Sequence, residues 1–116
     1  MVKKFTSLGL MSGTSMDGID ASIIVSDGYQ ECFFKFDKYL KYSEGLRTKL
    51  MSTRDKVLKL DDLKRFSGEI KELEKEITIC HAEFVNNILN NFKIEIDVIG
   101  FHGQTIFHSP ENSFSK

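Results

Sequence analysis

Between Leu60 and Phe92 apolar residues recur at intervals of three or four: Leu60, Leu63, Phe66, Ile70, Leu73, Ile77, Cys80, Phe84, Ile88 and Phe92. That spacing is the period of a helix with one buried face. Unbroken, such a helix of about 30 residues would be about 45 Å long. Gly68 marks a place for a kink or break, and Asp61 or Asp62 is a candidate N-cap. The opposite face carries Lys64, Glu69, Lys71, Glu72, Glu74, Lys75 and Glu76, the pattern of a solvated surface. A stripe this long needs a broad apolar partner, and the flanking sequence offers strands. Residues 4–11, 19–26 and 29–38 read as three antiparallel strands, joined by a tight turn at 12–18 and by a type I′ hairpin at Asp27-Gly28. Ser43 can cap a short helix over 44–52, with Leu46 and Leu50 on one face. Residues 94–101 form a fourth strand; its run Ile96, Val98, Ile99 predicts burial on both faces, as in a parallel strand reached by a helical crossover. The reading is an α/β fold of order βββαβ, a mixed sheet with a long helix on one face. The fourth strand should lie parallel to the first and beside it, so that the turn at 12–18 meets a loop at 102–106.

Composition excludes several alternatives. The 116 residues make at most one domain, and 41% hydrophobic content is ordinary for a globular chain. Sixteen basic against seventeen acidic residues give a net charge of -1, too little to attract nucleic acid or an anionic membrane. No run of about 18 apolar residues exists to span a bilayer, and the N-terminus is too polar for a secretory signal. Cys32 and Cys80 match no metal spacing and sit among apolar neighbours, so two buried reduced thiols in a cytoplasmic protein are expected. The ten phenylalanines suit a modest core.

Two segments carry candidate chemistry. In Gly9-Leu-Met-Ser-Gly-Thr-Ser-Met-Asp-Gly-Ile-Asp20, a turn of Gly, Ser and Thr gathers backbone N–H groups and hydroxyls, a donor set suited to an anion. Gly13 and Gly18 would let the backbone approach a phosphate, Thr14 and Ser15 would bond its oxygens, and Asp17 or Asp20 could hold a hydrated Mg²⁺. No Gly-Lys-Ser/Thr follows, and a strand comes next, so this is neither a Walker loop nor a dinucleotide fingerprint. The plainer alternative is an ordinary β-turn. The second segment, Gly100-Phe-His-Gly-Gln-Thr-Ile-Phe-His108, follows a strand as ligand-contacting edges do in α/β folds. His102 could polarise a hydroxyl, and Gln104 and Thr105 could bond a sugar or phosphate; a loop histidine with no ligand is the alternative. His81, on the long helix, reads as a partly buried structural residue, and no nucleophile–base arrangement is evident.

These two segments closely resemble the N-terminal motifs of the bacterial anhydro-N-acetylmuramic acid kinases, a branch of the sugar kinase, chaperone and actin superfamily. The motifs stand in the same order, about 90 residues apart, with a long helix between them. The resemblance implies a partial actin-like ATPase lobe of the ribonuclease H-like kind, spanning 1–110, with 111–116 a frayed tail. It implies ATP and Mg²⁺, and the opening of 1,6-anhydro-N-acetylmuramic acid to N-acetylmuramic acid 6-phosphate in cytoplasmic peptidoglycan recycling. ATP would meet Gly13, Thr14, Ser15, Met16, Asp17, Gly18, Ile19 and Asp20; the sugar side would include His102, Gly103, Gln104 and Thr105. Members of that family run to about three times this length, and their general-base aspartate and second lobe lie beyond the position of Lys116. The expectation is therefore a kinase portion without its catalytic base, inactive alone, or completed by a separate chain carrying the other lobe. The alternative is a non-catalytic remnant that binds phosphate or a partner. Neither nucleic acid nor membrane is an expected partner.

Overall fold

The computed structural model describes residues 3–13 and 15–109, together with the backbone of 114–115. Four strands form one mixed sheet in the order β3-β2-β1-β4. Strands β1 (Phe5–Met11), β2 (Gly18–Ser26) and β3 (Cys32–Lys41) pair antiparallel in succession. Strand β4 (Val98–Phe101) lies parallel to β1, with Ser7 opposite Val98 and Leu10 opposite Phe101. Between them come helices α1 (Glu44–Lys56), α2 (Leu60–Arg65) and α3 (Ser67–Phe92). A two-residue pairing of β5 (His108–Ser109) with β6 (Phe114–Ser115) ends the described chain. The α/β class, the order βββαβ and the neighbouring parallel fourth strand are as the sequence implied, and the architecture fits a partial actin-like sugar kinase lobe. Of the tail expected at 111–116, residues 111–113 and 116 lie outside the described residues.

Period-two alternation fixes which side of the sheet is covered. Leu8 and Leu10 of β1 and Ile19, Ala21 and Ile23 of β2 share a face and are buried. Against them pack Leu50 of α1 and Leu73, Ile77, Phe84 and Ile88 of α3, the inner positions of the long stripe. Ser43 caps α1, its Oγ accepting from Leu46 N at 3.2 Å. The helical stripe divides at Phe66, where the backbone leaves helical geometry one residue before Ser67 and two before Gly68. Asp61 and Asp62 do not cap α2. Lys59 holds that position, and Asp62 in the first turn reaches back, its Oδ2 accepting from Leu58 N and Lys59 N at 3.0 and 3.2 Å.

Several expectations give way to the structure, each for a visible reason. Asp27-Gly28 does not make a two-residue hairpin. Asp27 Oδ1 accepts from the N–H groups of Tyr29, Gln30 and Glu31, which closes a wider loop and delays β3 to Cys32. The N–H groups of Glu31, Tyr29 and Gln30 hold the Asp27 carboxyl below the usual carboxylate range. Strand β4 starts at Val98 rather than 94, because the Asp97 carboxylate takes the Thr6 N–H at 2.8 Å in place of a ladder partner. It is half exposed rather than buried on both faces, since it is the sheet's edge. Cys32 is exposed and Cys80 only partly buried. The helices cover one face of the sheet, so Phe5, Met11, Phe34, Tyr39 and Val98, which alternate to the other face, stay exposed. Of the phenylalanines, Phe84 is the one in the buried core among the described residues.

Candidate functional site

The strand order brings the two candidate segments together. Strand β1 runs into the turn and the parallel β4 runs into the loop at 102–106, so both leave the same end of the sheet. His102 N donates to Leu10 O at 3.2 Å, extending the β1–β4 pairing by one bond. Gln104 Nε2 then donates to Gly13 O at 2.9 Å and to Thr105 O at 3.3 Å. Its other amide atom, Oε1, is buried without a partner among the described residues. Gly103 turns the loop with a φ of 83°, in the region that favours glycine.

Within the turn, Met16 N donates to Gly13 O at 3.2 Å. Met16 has a φ of 59°, a left-handed conformation costing a bulky residue about 1–2 kcal/mol, yet its side chain is fully buried in the core. Core packing thus holds strained backbone at the turn, as functional turns often do. Among the described residues other than its chain neighbours, a Cβ on Gly13 would meet only Ser15 Oγ, at 3.9 Å, so no other described part of the fold fills the space in front of Gly13. Gly18 differs: it opens β2, and a Cβ there would lie 2.1 Å from Leu40 O. Its absent side chain makes room for β3. Thr14 lies outside the described residues. Ser15 is exposed, Ile19 is buried in the core, and Asp20 is exposed on β2 opposite Tyr39.

Beneath the turn lies a buried polar group that sequence reasoning did not assemble. Ser12, Tyr42 and His81 are each no more than 3% exposed. Ser12 Oγ is 2.7 Å from Tyr42 Oη and 3.3 Å from His81 Nε2. His81 Nδ1 is 2.8 Å from Ile77 O, and its ring stands edge-on to Phe101 at 4.6 Å between centroids. Tyr42 N donates to Asp17 O at 2.8 Å. Burial pushes the Tyr42 phenol up and the His81 imidazole down, so both are uncharged at neutral pH. The signal for His81 was present: it falls on the buried stripe between Ile77 and Phe84, and a polar residue there requires a partner. Nothing in the local sequence marked Tyr42, which reaches Ser12 across 30 positions.

Charge at the turn is balanced locally. Arg47 of α1 meets Asp17, Nε to Oδ1 at 3.2 Å, with both side chains about half exposed. Among the described residues no three His, Cys, Asp or Glu side chains form a metal cage. A Mg²⁺ bound through one carboxylate and substrate oxygens needs no such cage; of the two expected ligands, Asp17 is paired with Arg47 and Asp20 is exposed on β2. A cleft of about 460 Å³ opens between α3 and the loop, bounded by Leu73, Ile77, His102, Gln104 and Ile106. It gives the loop's polar groups an apolar wall, the usual make-up of a small-molecule pocket. Among the described residues, no helix is long and apolar enough to cross a membrane.

Comparison with known proteins places the sequence in a family. The sequence model of the family described as anhydro-N-acetylmuramic acid kinase matches residues 5–116. A protein of that name from Pelagibacter ubique (strain HTCC1062) is 49% identical over 116 residues, all of this chain and 31% of the relative. One from Brucella canis is 38% identical over 112 residues, 94% of this chain and 30% of the relative. One from Agrobacterium fabrum is 35% identical over 113 residues, 95% of this chain and 30% of the relative. The chain spans about 30% of the length of the curated relatives it matches.

Proposed function

This chain belongs to the anhydro-N-acetylmuramic acid kinase family, and from that premise we propose that it forms the phosphate-holding part of an ATP-dependent sugar kinase. The substrate would be 1,6-anhydro-N-acetylmuramic acid, phosphorylated at O6 as water opens the anhydro ring, in cytoplasmic peptidoglycan recycling. The observation that carries the reading is the Gln104–Gly13 hydrogen bond at 2.9 Å, which joins the two segments into one edge. Gly13, Thr14, Ser15, Met16, Asp17, Gly18, Ile19 and Asp20 are the nucleotide side. His102, Gly103, Gln104 and Thr105 are the sugar side.

The chemistry asked of these residues is binding and orientation. The open space before Gly13 admits a phosphate to the backbone N–H groups of the turn. Asp17 or Asp20 would hold Mg²⁺, which when bound neutralises phosphate charge. His102, exposed at the loop's start, and the amide of Gln104 would orient sugar hydroxyls. Aligning two reactants can supply roughly 7–11 kcal/mol of the barrier, and a positioned general base typically adds ~10²–10⁴-fold. The family resemblance assigns that base and the adenine-binding lobe to sequence beyond the part matched here, in the same polypeptide or a separate one. The half-exposed apolar edge strand β4 supports such a neighbour.

The test is a chimera in which residues 1–116 replace the matching segment of the Pelagibacter ubique relative. ATP turnover dependent on anhydro-N-acetylmuramic acid should stay within about tenfold of the parent, about 1.4 kcal/mol of barrier. Gly13→Val in the chimera should reduce it to background. Equal turnover with and without that substitution would overturn the reading.

A further inference from the structure

Three elements meet at Ser12. Tyr42 grips the turn at both ends, through its phenol to Ser12 Oγ at 2.7 Å and through its N–H to Asp17 O at 2.8 Å. His81 touches both candidate segments, through Nε2 to Ser12 Oγ at 3.3 Å and through its ring to Phe101, the residue before His102. The direction of the chain of bonds follows from its end. A carbonyl only accepts, so His81 Nδ1 carries the proton it gives to Ile77 O, 2.8 Å away. Nε2 is then the bare nitrogen and accepts from the Ser12 hydroxyl, and Ser12 Oγ accepts from Tyr42. Every member is thereby satisfied in a site closed to water.

We propose that Tyr42, Ser12 and His81 are positioning residues, a directed hydrogen-bond relay that sets the conformation of the turn at 12–17 and couples it to the loop at 102–106. The relay needs neither hydroxyl to touch a ligand. It fixes the strained backbone at Met16 and the entry of the second loop, so a change at one segment is felt at the other. Its bearing on phosphate binding rests on the kinase reading above; the coupling itself does not.

The experiment uses the ¹⁵N-labelled chain. Long-range imidazole spectra at neutral pH should give His81 as the neutral Nδ1–H tautomer, the minor form of free histidine. Amide hydrogen exchange is then compared in the chain and in Tyr42→Phe and His81→Leu. Each substitution should speed exchange at both Met16 and His102 about tenfold, the size of one lost hydrogen bond, while the β1–β2 ladder keeps its rates. The Nε2–H tautomer, which is read on the unsubstituted chain, would overturn the relay. So would unchanged exchange at Met16 and His102, or acceleration spread evenly over the sheet. Mg·ATP is added to the same samples: a folded chain whose turn amides do not shift would count against the kinase reading, while the exchange data decide the relay independently.

Discussion

Replacing Gly18 by alanine should damage this fold far more than the loss of one glycine suggests. The added methyl carbon would lie 2.1 Å from Leu40 O, 2.7 Å from Tyr39 Oη and 2.8 Å from Tyr39 Cζ. Tyr39 can rotate away, but Leu40 O is backbone in the neighbouring strand, paired through Ile19↔Leu40 and Gly18↔Lys41. Ordinary contact requires β3 to retreat by about 1 Å, which breaks the end of the β2–β3 ladder. Overpacking of this kind costs about 1–3 kcal/mol, and one or two weakened backbone bonds add about 0.5–1.5 kcal/mol each. The sum, about 1.5–6 kcal/mol, is a large share of the roughly 5–15 kcal/mol of a typical domain. At about 4 °C per kcal/mol for a chain of this size, Tm should fall by about 6–24 °C. Gly13→Ala is the control. Among the described residues other than its chain neighbours its Cβ meets nothing closer than Ser15 Oγ at 3.9 Å, so Tm should hold or rise slightly. Thermal unfolding followed by circular dichroism reads both. A Gly18→Ala chain melting within about 2 °C of the parent would refute the steric account.

Two further outcomes follow from the core and from the buried histidine. Ile88→Ala removes a side chain 1% exposed at the C-terminal end of α3's inner face, and should cost about 2–5 kcal/mol in urea unfolding; a loss below about 1 kcal/mol would mean that this end of α3 is not seated on the sheet. Burial lowers the His81 pKa, so the unfolded chain binds more protons once pH drops below about 6.5. Stability should therefore be fully present above about pH 6.5 and decline as pH falls through that value, with a flatter decline in His81→Gln; equal slopes would show that His81 stays accessible to protons.

The extent of legibility follows from where the information lies. Strands β1 and β2 were readable to within a residue because their alternation is local, and α3 because its stripe repeats over many turns. The meeting of turn and loop was readable from topology, since a parallel fourth strand next to the first leaves both at one end. What escaped was non-local. The loop after β2 is set by one carboxylate collecting three N–H groups, a choice that Asp27-Gly28 does not spell out. Exposure of Phe34 and Val98 depends on which face of the sheet is left uncovered, and no strand pattern says that. Tyr42 and His81 became site residues only when the fold carried them to Ser12.

Titrating the ¹⁵N-labelled chain with Mg·ATP tests the central claim most directly. Amide shifts should be confined to Gly13, Ser15, Met16, Asp17 and Gly18, with a smaller response in Gly103, Gln104 and Thr105 transmitted through the Gln104–Gly13 bond. In Gly13→Val the chain should keep its fold and lose these shifts, because the β-branched side chain fills the space before the turn. Shifts centred elsewhere on the sheet, or surviving unchanged in Gly13→Val, would contradict the assignment of this turn as the phosphate site.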